Sequence, residues 1–442
     1  MFIDFIIQKF KDNLKKEAVI CDDNIYSYEY LLNRYYFWKD FLNKRIKKGK
    51  VVAVQADYNP DSVTLMLALI ENANIFVPFS HSNKDIKKKL EIAEAEYFIK
   101  FKNFNYNLIE TNIKVSHDLI KKLKQRNHPG IIVFSSGSTG EPKAAIHDFT
   151  NLLNKFKVER KTLRTINFLL FDHWGGINTL LYIFSNAGLI GVPAERSPDK
   201  VCEFIEKYKI ELLPTTPTFI NLILMSRAYN RYKLSSLKIV SYGTEAMPES
   251  TLKFFHDLFP KIILKQTYGL TELGVMRTKS KSSDSLWLKV GGEDYKTKVI
   301  DNILFIKAKS SILGYLNAGS PFDKDGWYNT GDKIEQDGDW IKFLGRESEI
   351  INVGGQKVYP AEVESVLLEI NGVKDAIVYG EKNPLIGEIV VANVKVDELN
   401  NNKKFVSLIK KYCRGKLEKY KIPVKINFTQ KDLISDRFKK MR

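Results

Sequence analysis

Short apolar runs alternate with stretches of helical length along the first part of the chain. The runs 51–54 and 75–78 are typical of buried strands, and helices are predicted at 62–72 and from 84 onwards. The same alternation of strand-like and helical runs recurs at 167–171, 180–185, 189–192, 198–208, 211–214 and 237–242. Strands that alternate with helices form parallel sheets with helices on both faces. The pattern therefore predicts an α/β fold.

The pattern changes twice in the second half of the chain. From 287 to 344, short strands are separated by glycine-rich turns such as 335–339, which predicts an antiparallel subdomain. After residue 345 a new helix–strand–strand–helix pattern covers about a hundred residues, enough for a separate domain. We therefore predict a large domain of parallel-rich sheets over residues 1–344 and a small α+β domain over residues 345–442, with a hinge between them.

Composition and charge narrow the class of protein. The chain has 442 residues, of which 44% are apolar and 27% charged, as in soluble globular proteins. The net charge of +17 comes from scattered lysines and short clusters at 44–48 and 121–124, which are typical of solvated helix faces. Because the sequence has no recognition signature for DNA or RNA, we predict no nucleic-acid partner. Attraction of ATP or of an acidic partner protein is a second explanation of the charge.

Two further features concern location. No apolar run approaches the roughly 20 residues of a membrane span, so we predict no membrane association. The three cysteines are far apart and odd in number, which predicts neither disulfides nor a metal site. A cytoplasmic protein fits both features.

A loop rich in hydroxyls and glycine follows the apolar run 131–134 and ends at Lys143. Its members are Ser135, Ser136, Gly137, Ser138, Thr139 and Gly140. Backbone N–H groups and hydroxyls in such a loop can surround an anion, and Lys143 adds a positive charge. It is not a Walker loop, because Glu141-Pro142-Lys143 follows the last glycine. A flexible surface loop is the alternative; the adjoining strand and the lysine favour a polyphosphate-binding loop.

Three more segments carry candidate chemistry. Tyr268-Gly269-Leu270-Thr271-Glu272 combines an aromatic face, a glycine, a hydroxyl and a carboxylate, which could stack a base and hold Mg²⁺ beside phosphates. The segment 328–332 ends in Asp332, suited to a ribose diol or to a type I turn. The segment 345–355 is charged and glycine-rich, as in a hinge and loop.

In this order and spacing, the segments closely resemble those of the adenylate-forming enzyme superfamily. Acyl- and aryl-CoA synthetases, adenylation domains of peptide synthetases and luciferases belong to it. The resemblance covers nearly the whole chain, from 26–31 to the basic end. It implies an ATP-dependent ligase that forms an acyl-adenylate.

The resemblance also assigns roles to particular residues. The loop from Ser135 to Lys143 is expected to wrap the β- and γ-phosphates, Thr271 to contact the α-phosphate, and Glu272 to ligate Mg²⁺. The adenine is expected to lie between Tyr268 and the segment Gly243, Thr244 and Glu245. Asp332 and Arg346 are expected to hold the ribose hydroxyls.

The catalytic lysine of the family lies near the C-terminus, in a Gly-Lys pair. When the tail is aligned on Ser435 and Arg442, Lys439 takes the lysine position and Phe438 replaces the glycine. Lys440 is adjacent, and a frayed basic terminus is the alternative interpretation. Lys439 is the predicted catalytic lysine.

Hinge and thiol access are assigned in the same way. Ser348 falls at the hinge position, where relatives carry Asp or Lys, and serine can absorb the same backbone change. Gly354 and Gly355 match the segment at which thiol-ligating members admit a phosphopantetheine arm, although a simple turn also explains these glycines.

The acid pocket is predicted around Asp172, His173, Trp174 and Gly269. His173 matches a histidine of many acyl- and aryl-CoA synthetases. Asp172 matches the aspartate by which amino-acid-activating members bind an α-ammonium, but it could equally be a turn residue or a helix cap. Trp174 favours a small acid over a long fatty chain.

The resemblance thus predicts an acid–thiol ligase that uses ATP and Mg²⁺, forms an acyl-AMP with release of pyrophosphate, and passes the acyl group to CoA. The alternative within the family loads a small or amino acid onto the phosphopantetheine of an acidic carrier protein. A catalytically silent nucleotide-binding or interaction module is the alternative from another class; Lys143, Glu272, Asp332 and Arg346 argue against it.

The role of Lys439 gives a first prediction. Lys439→Ala is expected to cripple adenylation, because the amine would lie between carboxylate and α-phosphate, but to spare thioester formation from a supplied acyl-adenylate. The two half-reactions are measured separately. Equal loss in both would refute the role.

Overall fold

The computed structural model describes residues 2–102, 104–135, 141–397, 402–435 and 438–441. In this part of the chain the helices are α1 Asp4–Asp12, α2 Tyr28–Arg45, α3 Pro60–Glu71, α4 Ile86–Ile92, α5 Asp118–Arg126, α6 Phe149–Leu153, α7 Trp174–Phe184, α8 Pro198–Tyr208, α9 Pro217–Ser226, α10 Glu249–Leu258, α11 Pro360–Leu368 and α12 Asn402–Arg414. Short 3₁₀ helices span Asn154–Phe156, Ala228–Asn230, Glu347–Glu349 and Lys419–Lys421.

The strands before residue 267 are β1 Glu17–Cys21, β2 Asn24–Ser27, β3 Val51–Gln55, β4 Ile75–Phe79, β5 Tyr97–Lys102, β6 Asn105–Glu110, β7 Gly130–Ser135, β8 Lys143–Asp148, β9 Thr165–Ile166, β10 Ile190–Val192, β11 Leu212–Thr215, β12 Ile239–Tyr242 and β13 Ile263–Gln266. The later strands are β14 Gly269–Leu270, β15 Gly274–Val275, β16 Arg277–Ser280, β17 Leu288–Gly291, β18 Tyr295–Ile300, β19 Ile303–Ala308, β20 Gly314–Tyr315, β21 Tyr328–Asp337, β22 Trp340–Arg346, β23 Ile351–Val353, β24 Gln356–Val358, β25 Val373–Asn383, β26 Gly387–Val396 and β27 Lys425–Thr429.

Two parallel-rich sheets form the first part of the molecule. One has the strand order β13-β12-β11-β9-β10-β1-β2, and the other β20-β8-β7-β4-β3-β5-β6. In the second sheet, the central strands β3 and β4 are buried along their whole length and, apart from Gln55, apolar. Such strands are covered on both faces by helices, here with α3 and α7 in the main core. The predicted α/β class is confirmed.

The antiparallel subdomain and the last sheet also agree with the sequence pattern. Strands β16-β17-β22-β21-β19-β18 form an antiparallel sheet around its own apolar cluster. Residues after 350 form a separate sheet, β24-β23-β26-β25 with β27 beside β26, and a separate core under α11 and α12. The boundary at residue 345 stays a prediction; we call the two parts the large and the small domain.

One local prediction and one alternative interpretation were wrong. The strand-like run 167–171 does not form a strand: β9 ends at Ile166, and the chain then turns, with the His173 N–H donating to the Leu170 carbonyl at 2.9 Å. Asp332 does not lie in a type I turn. It lies within β21 and is paired with Arg346 of β22.

Gly176, in the first turn of α7, yields a stability prediction. A Cβ there would lie 2.8 and 2.9 Å from the carbonyl oxygens of Leu169 and Leu170, which the backbone cannot easily move. Gly176→Ala is therefore expected to lower the free energy of unfolding by about 1–3 kcal/mol, although alanine normally favours a helix.

Urea unfolding monitored by circular dichroism measures the change. Gly319→Ala is the control, since a Cβ there meets no atom within 4 Å. A Gly176→Ala protein as stable as the control would contradict the packing described here.

Candidate active site

The ends of the predicted phosphate loop lie side by side. Strands β7 and β8 are antiparallel, with Ser135 paired to Lys143. Asn317 fixes the returning strand, since its Oδ1 accepts from the Ala144 N–H and its Nδ2 donates to the Pro142 carbonyl, both at 2.9 Å. The predicted binding residues between the two strands, Ser136, Gly137, Ser138, Thr139 and Gly140, lie outside the described residues.

Lys143 and Glu272 both contact Tyr315, a residue that the sequence analysis missed. The Lys143 ammonium lies 5.5 Å from the ring centroid of Tyr315. The hydroxyl of Tyr315 donates to Glu272 Oε1 at 2.5 Å, and Glu272 is buried. Burial, and then the charge of Glu272, raise the pKa of Tyr315, so the phenol stays protonated as the donor. A cation thus lies over this ring, and a carboxylate accepts from its hydroxyl.

His147, four residues along β8 from Lys143, holds the backbone of the neighbouring segment. Its Nε2 lies 2.7 Å from the Thr271 carbonyl and its Nδ1 3.2 Å from the Ser310 carbonyl. Burial lowers the pKa of His147 to about 4, against the opposing effect of the two carbonyls. The neutral ring stacks on the indole of Trp174, with the ring centroids 5.5 Å apart and an angle of 10° between the ring planes. Residues predicted for the acid pocket and for the phosphates are therefore adjacent.

Tyr268, Asp332 and Arg346 form a second group. The Tyr268 hydroxyl donates to Asp332 Oδ2 at 2.5 Å, and Asp332 Oδ1 lies 3.4 Å from Arg346 Nε. Burial raises the pKa of Asp332 although Arg346 opposes it, and burial beside Asp332 raises the pKa of Tyr268. Phe343, which the sequence analysis did not single out, stacks on Tyr268 with ring centroids 4.5 Å apart. An adenine ring would thus have to contact the opposite face of Tyr268.

The segment 243–245 follows β12, and Tyr268 follows the parallel neighbour β13. The two strands are in register at Tyr242 and Gln266, so both segments emerge at the same edge of the sheet. A Cβ at Gly243 would lie 2.6 and 2.7 Å from Oγ1 and O of Thr267, which requires glycine at this close approach. Thr244 has a φ of +76°, and Glu245 Oε2 accepts from the Thr218 hydroxyl at 2.7 Å.

The structure separates two predicted roles in the acid-pocket segment. His173, not Asp172, caps α7, since its Nδ1 accepts from the Gly175 N–H at 3.0 Å. Asp172 is buried, and its Oδ2 accepts from the amide of Asn83 and from the Ser80 hydroxyl. The cap interpretation of Asp172 is therefore wrong.

Trp174 and Gly269 complete the predicted pocket. The indole Nε1 of Trp174 is buried and has no hydrogen-bond partner among the residues described. A Cβ on Gly269 would lie 3.0 Å from Val275 Cα and 3.1 Å from the Gly274 carbonyl. Gly269 thus fits the close pairing of β14 with β15.

The tail reaches the large domain. Phe438 packs on Phe168 and Phe219, and its carbonyl accepts from the Thr216 hydroxyl at 2.8 Å. Phe438 and His173 line one small void, so the tail lies beside the acid-pocket segment at Phe438. Lys440, the alternative to Lys439, directs its ammonium into the small domain, 3.0 Å from Glu364 Oε2.

The predicted hinge and thiol-access residues lie elsewhere. Ser348 is exposed within a 3₁₀ helix. Gly354 and Gly355 form the turn between β23 and β24 with φ of +57° and +86°, and a Cβ on either meets no atom within 4 Å. Within the described ranges, the contacts that join Lys143 to Glu272 do not extend to this turn.

The donor set of this site suits a hard cation such as Mg²⁺. The described residues contain no cluster of three or more metal-ligating side chains. Glu272 offers carboxylate oxygens at the hydroxyl of Tyr315, and Lys143 lies over the ring of the same tyrosine. Because Mg²⁺ is commonly held by one or two carboxylates together with phosphate oxygens, a single carboxylate fits it.

Comparisons with known proteins identify the family. The model of the AMP-binding enzyme family matches residues 8–292, well over half of the chain. The chain belongs to the AMP-binding enzyme family. The model of the AMP-binding enzyme C-terminal domain matches residues 362–438. The resemblance found in the sequence is confirmed.

Curated relatives of this AMP-binding protein are named as ligases. An indoleacetate–CoA ligase of Aromatoleum aromaticum is 27% identical over 68% of this chain and 63% of its own length, so the chain spans less than two thirds of it. A D-alanine–D-alanyl carrier protein ligase of Staphylococcus epidermidis is 24% identical over 86% of each protein.

A solved structure supports the fold. The anthranilate CoA ligase in complex with anthranoyl-AMP has a TM-score of 0.83 at 18% identity and covers 99% of this chain and 95% of its own. The predicted fold class is confirmed by this likeness. In the described ranges, each helix is too short or too polar to cross a membrane.

The buried His147 predicts a pH dependence of stability. Below its ordinary pKa of 6.5 the unfolded chain binds a proton that the folded chain accepts only near 4. Between these values the free energy of unfolding is expected to fall by about 1.4 kcal/mol per pH unit as the pH decreases.

Urea unfolding at several pH values tests this, with His147→Gln as the variant and the exposed His81→Gln as the control. His147→Gln should show the shallower slope. Equal slopes in all three proteins would mean that His147 is not held neutral.

Proposed function

We propose that this protein is an ATP-dependent acid–thiol ligase. It activates a small carboxylic acid as an acyl-adenylate with release of pyrophosphate and transfers the acyl group to the thiol of CoA. The observation that carries the proposal is the grouping of Lys143, Tyr315 and Glu272 beside Thr271, with Trp174 stacked on the histidine that holds Thr271. Membership of the family and relatives named as CoA ligases support it.

In the first step, a carboxylate oxygen attacks the α-phosphorus of ATP, and the bond to the pyrophosphate oxygen breaks. Two anions must meet, so catalysis consists mainly of positioning and of neutralising charge. Lys143 lies at the returning end of the phosphate loop and is suited to the leaving pyrophosphate. Lys439 is assigned to the region between carboxylate and α-phosphate. Mg²⁺ held by Glu272 would add positive charge at the phosphate oxygens.

Nucleotide recognition is assigned to the second group. Tyr268 would stack on the adenine opposite Phe343, with 243–245 on the other side of the base. Asp332 and Arg346 are proposed to hold the ribose hydroxyls. The bond from Tyr268 to Asp332 supports this role, because it holds a buried carboxylate next to the aromatic face.

In the second step, a thiol attacks the carbonyl carbon of the acyl-adenylate and AMP leaves. We propose that the small domain rotates about Ser348 and brings Gly354-Gly355 to the thiol. The exposed turn and the open space beside its glycines support a close approach of a phosphopantetheine arm. Three free, buried cysteines support a cytoplasmic location.

The alternative acceptor is the phosphopantetheine of an acidic carrier protein. A buried Asp172 that Ser80 and Asn83 hold favours it, because such a carboxylate could bind the ammonium of an amino acid. The carrier protein ligase that aligns over 86% of this chain points the same way. The proposed small acid is therefore either an ordinary carboxylic acid or an amino acid.

A pyrophosphate-exchange screen over amino, aryl and short fatty acids tests the proposal, followed by addition of CoA or carrier protein. We expect exchange with at least one small acid and a thioester with CoA. Asp172→Asn should abolish exchange only if the substrate is an amino acid.

Asp61→Asn is the matched control, because Asp61 is as buried as Asp172 but pairs with Arg34 and Trp38. A folded protein that binds ATP and exchanges with no acid would contradict the proposed function. Transfer to the carrier alone would establish the alternative.

A further inference from the structure

The tail places Lys439 between two neighbours that are held by different parts of the protein. The Ser435 N–H donates to the Lys439 carbonyl at 2.8 Å, and the Phe438 N–H donates to the Ser435 carbonyl at 2.9 Å. Ile434 and Lys440 form an antiparallel bridge. The described residues before 436 and after 437 therefore run antiparallel, and the positions of Phe438 and Lys440 determine that of Lys439.

Phe438 is held by the large domain. Its ring centroid lies 5.0 Å from that of Phe168 and 5.2 Å from that of Phe219, and Thr216 donates to its carbonyl. Its φ is +52°, a left-handed conformation that is unfavourable for a non-glycine residue. The contacts of its ring with two aromatic rings offset this cost. Packing thus explains how phenylalanine stands where the family has glycine.

Lys440 is held by both domains. Its N–H donates to Glu245 Oε1 of the large domain at 2.6 Å. Its ammonium donates to the Ala376 carbonyl at 2.7 Å and to Glu364 Oε2 at 3.0 Å, and lies 3.6 Å from Asp375 Oδ1. These side chains are at most 8% exposed. A buried ammonium between carboxylates is costly to remove, because the acids lose their counter-charge.

Further contacts join the same two domains. Ser250 of α10 and Ser365 of α11 bond to each other, with their hydroxyl oxygens 3.1 Å apart. Asn221 of α9 donates to the Lys374 carbonyl at 3.1 Å. Lys440 is therefore part of an interface, and its ammonium ties the tail to the small-domain side of it.

We propose that Phe438 and Lys440 are positioning residues, which hold Lys439 at the acid-pocket segment while the small domain is docked on the large one. The inference rests on the proposed function and adds the elements that place its catalytic lysine. Glu245 belongs to the segment assigned to adenine and also accepts from Lys440. Nucleotide binding and docking of the tail therefore share one side chain.

A cross-linking experiment measures docking without any activity. In a Ser250→Cys/Ser365→Cys protein, the rate of disulfide formation reports the docked population, and the native cysteines are buried. Adding Lys440→Met is expected to slow cross-linking by about tenfold, the scale of coupling between contacting groups. Lys421→Met is the matched control. Lys421 also pairs with a carboxylate of α11, since its ammonium lies 2.6 Å from Glu362 Oε1, two residues before Glu364.

The variant Lys440→Met/Asp375→Asn separates docking from stability of the small domain. It removes a carboxylate together with the ammonium, which lessens the charge imbalance in the core. If Lys440 acts on docking, cross-linking stays slow although the unfolding midpoint recovers. Recovery of both would reduce Lys440 to a structural residue and overturn the inference.

Kinetics test whether Lys440 acts through Lys439. Lys440→Met is expected to lower kcat of pyrophosphate exchange by roughly tenfold with KM for ATP nearly unchanged. Lys439→Ala/Lys440→Met should be no slower than Lys439→Ala alone. Multiplied losses, or cross-linking as fast as in the control, would overturn the inference. A wild-type protein without exchange would refute the proposed function, and the cross-linking rates would still decide the docking role.

Discussion

The site depends on the register of strand β8. Alternate residues of a strand lie on the same face, so Lys143 and His147 project from one side of it. Lys143 faces Tyr315, whose hydroxyl donates to Glu272, and His147 Nε2 lies 2.7 Å from the Thr271 carbonyl. The pairing of Ala145 with Tyr315 and of Lys143 with Ser135 fixes this register. A slip by one residue would move both side chains to the opposite face.

From β8 the arrangement extends into both domains. Trp174, the first residue of α7, stacks on His147, and His147 contacts the carbonyl of Thr271, the residue before Glu272. These contacts fix the position of α7 relative to Glu272. The tail packs at the acid-pocket segment through Phe438. In the proposed reaction, fixed positive charge is needed where a carboxylate meets a triphosphate. In this proposal Lys143 would supply it from the large domain and the tail would bring Lys439, so one part of the site would be permanent and the other would depend on docking.

The sequence predicted the fold class, because apolar periodicity is a local signal, and the family resemblance assigned roles to the segments of the candidate site. It could not predict the contacts between segments. Tyr315, Phe343 and Asn83 have no motif around them and acquire their importance only through partners that are 43 to 89 residues away. Asp332 was open to a turn interpretation, since the pairing that places it in a strand involves Arg346.

The contacts of the tail could not be predicted from the sequence either. Alignment assigned Lys439 and left Lys440 as its neighbour, and the pattern of charges alone could not separate them. In the structure, the ammonium of Lys440 lies between Glu364 and Asp375 in the small domain. Phe438, which replaces the glycine of the family, was a visible departure in the sequence. Its packing partners could not be predicted, because Phe168 and Phe219 lie about 220 to 270 residues earlier in the chain.

The most direct measurement is a crystal structure with magnesium and a non-hydrolysable ATP analogue. The account predicts the triphosphate at the start of β8, with Lys143 and Glu272 on the phosphates and the base against Tyr268. A nucleotide bound elsewhere, or a triphosphate that contacts neither Lys143 nor Glu272, would contradict it.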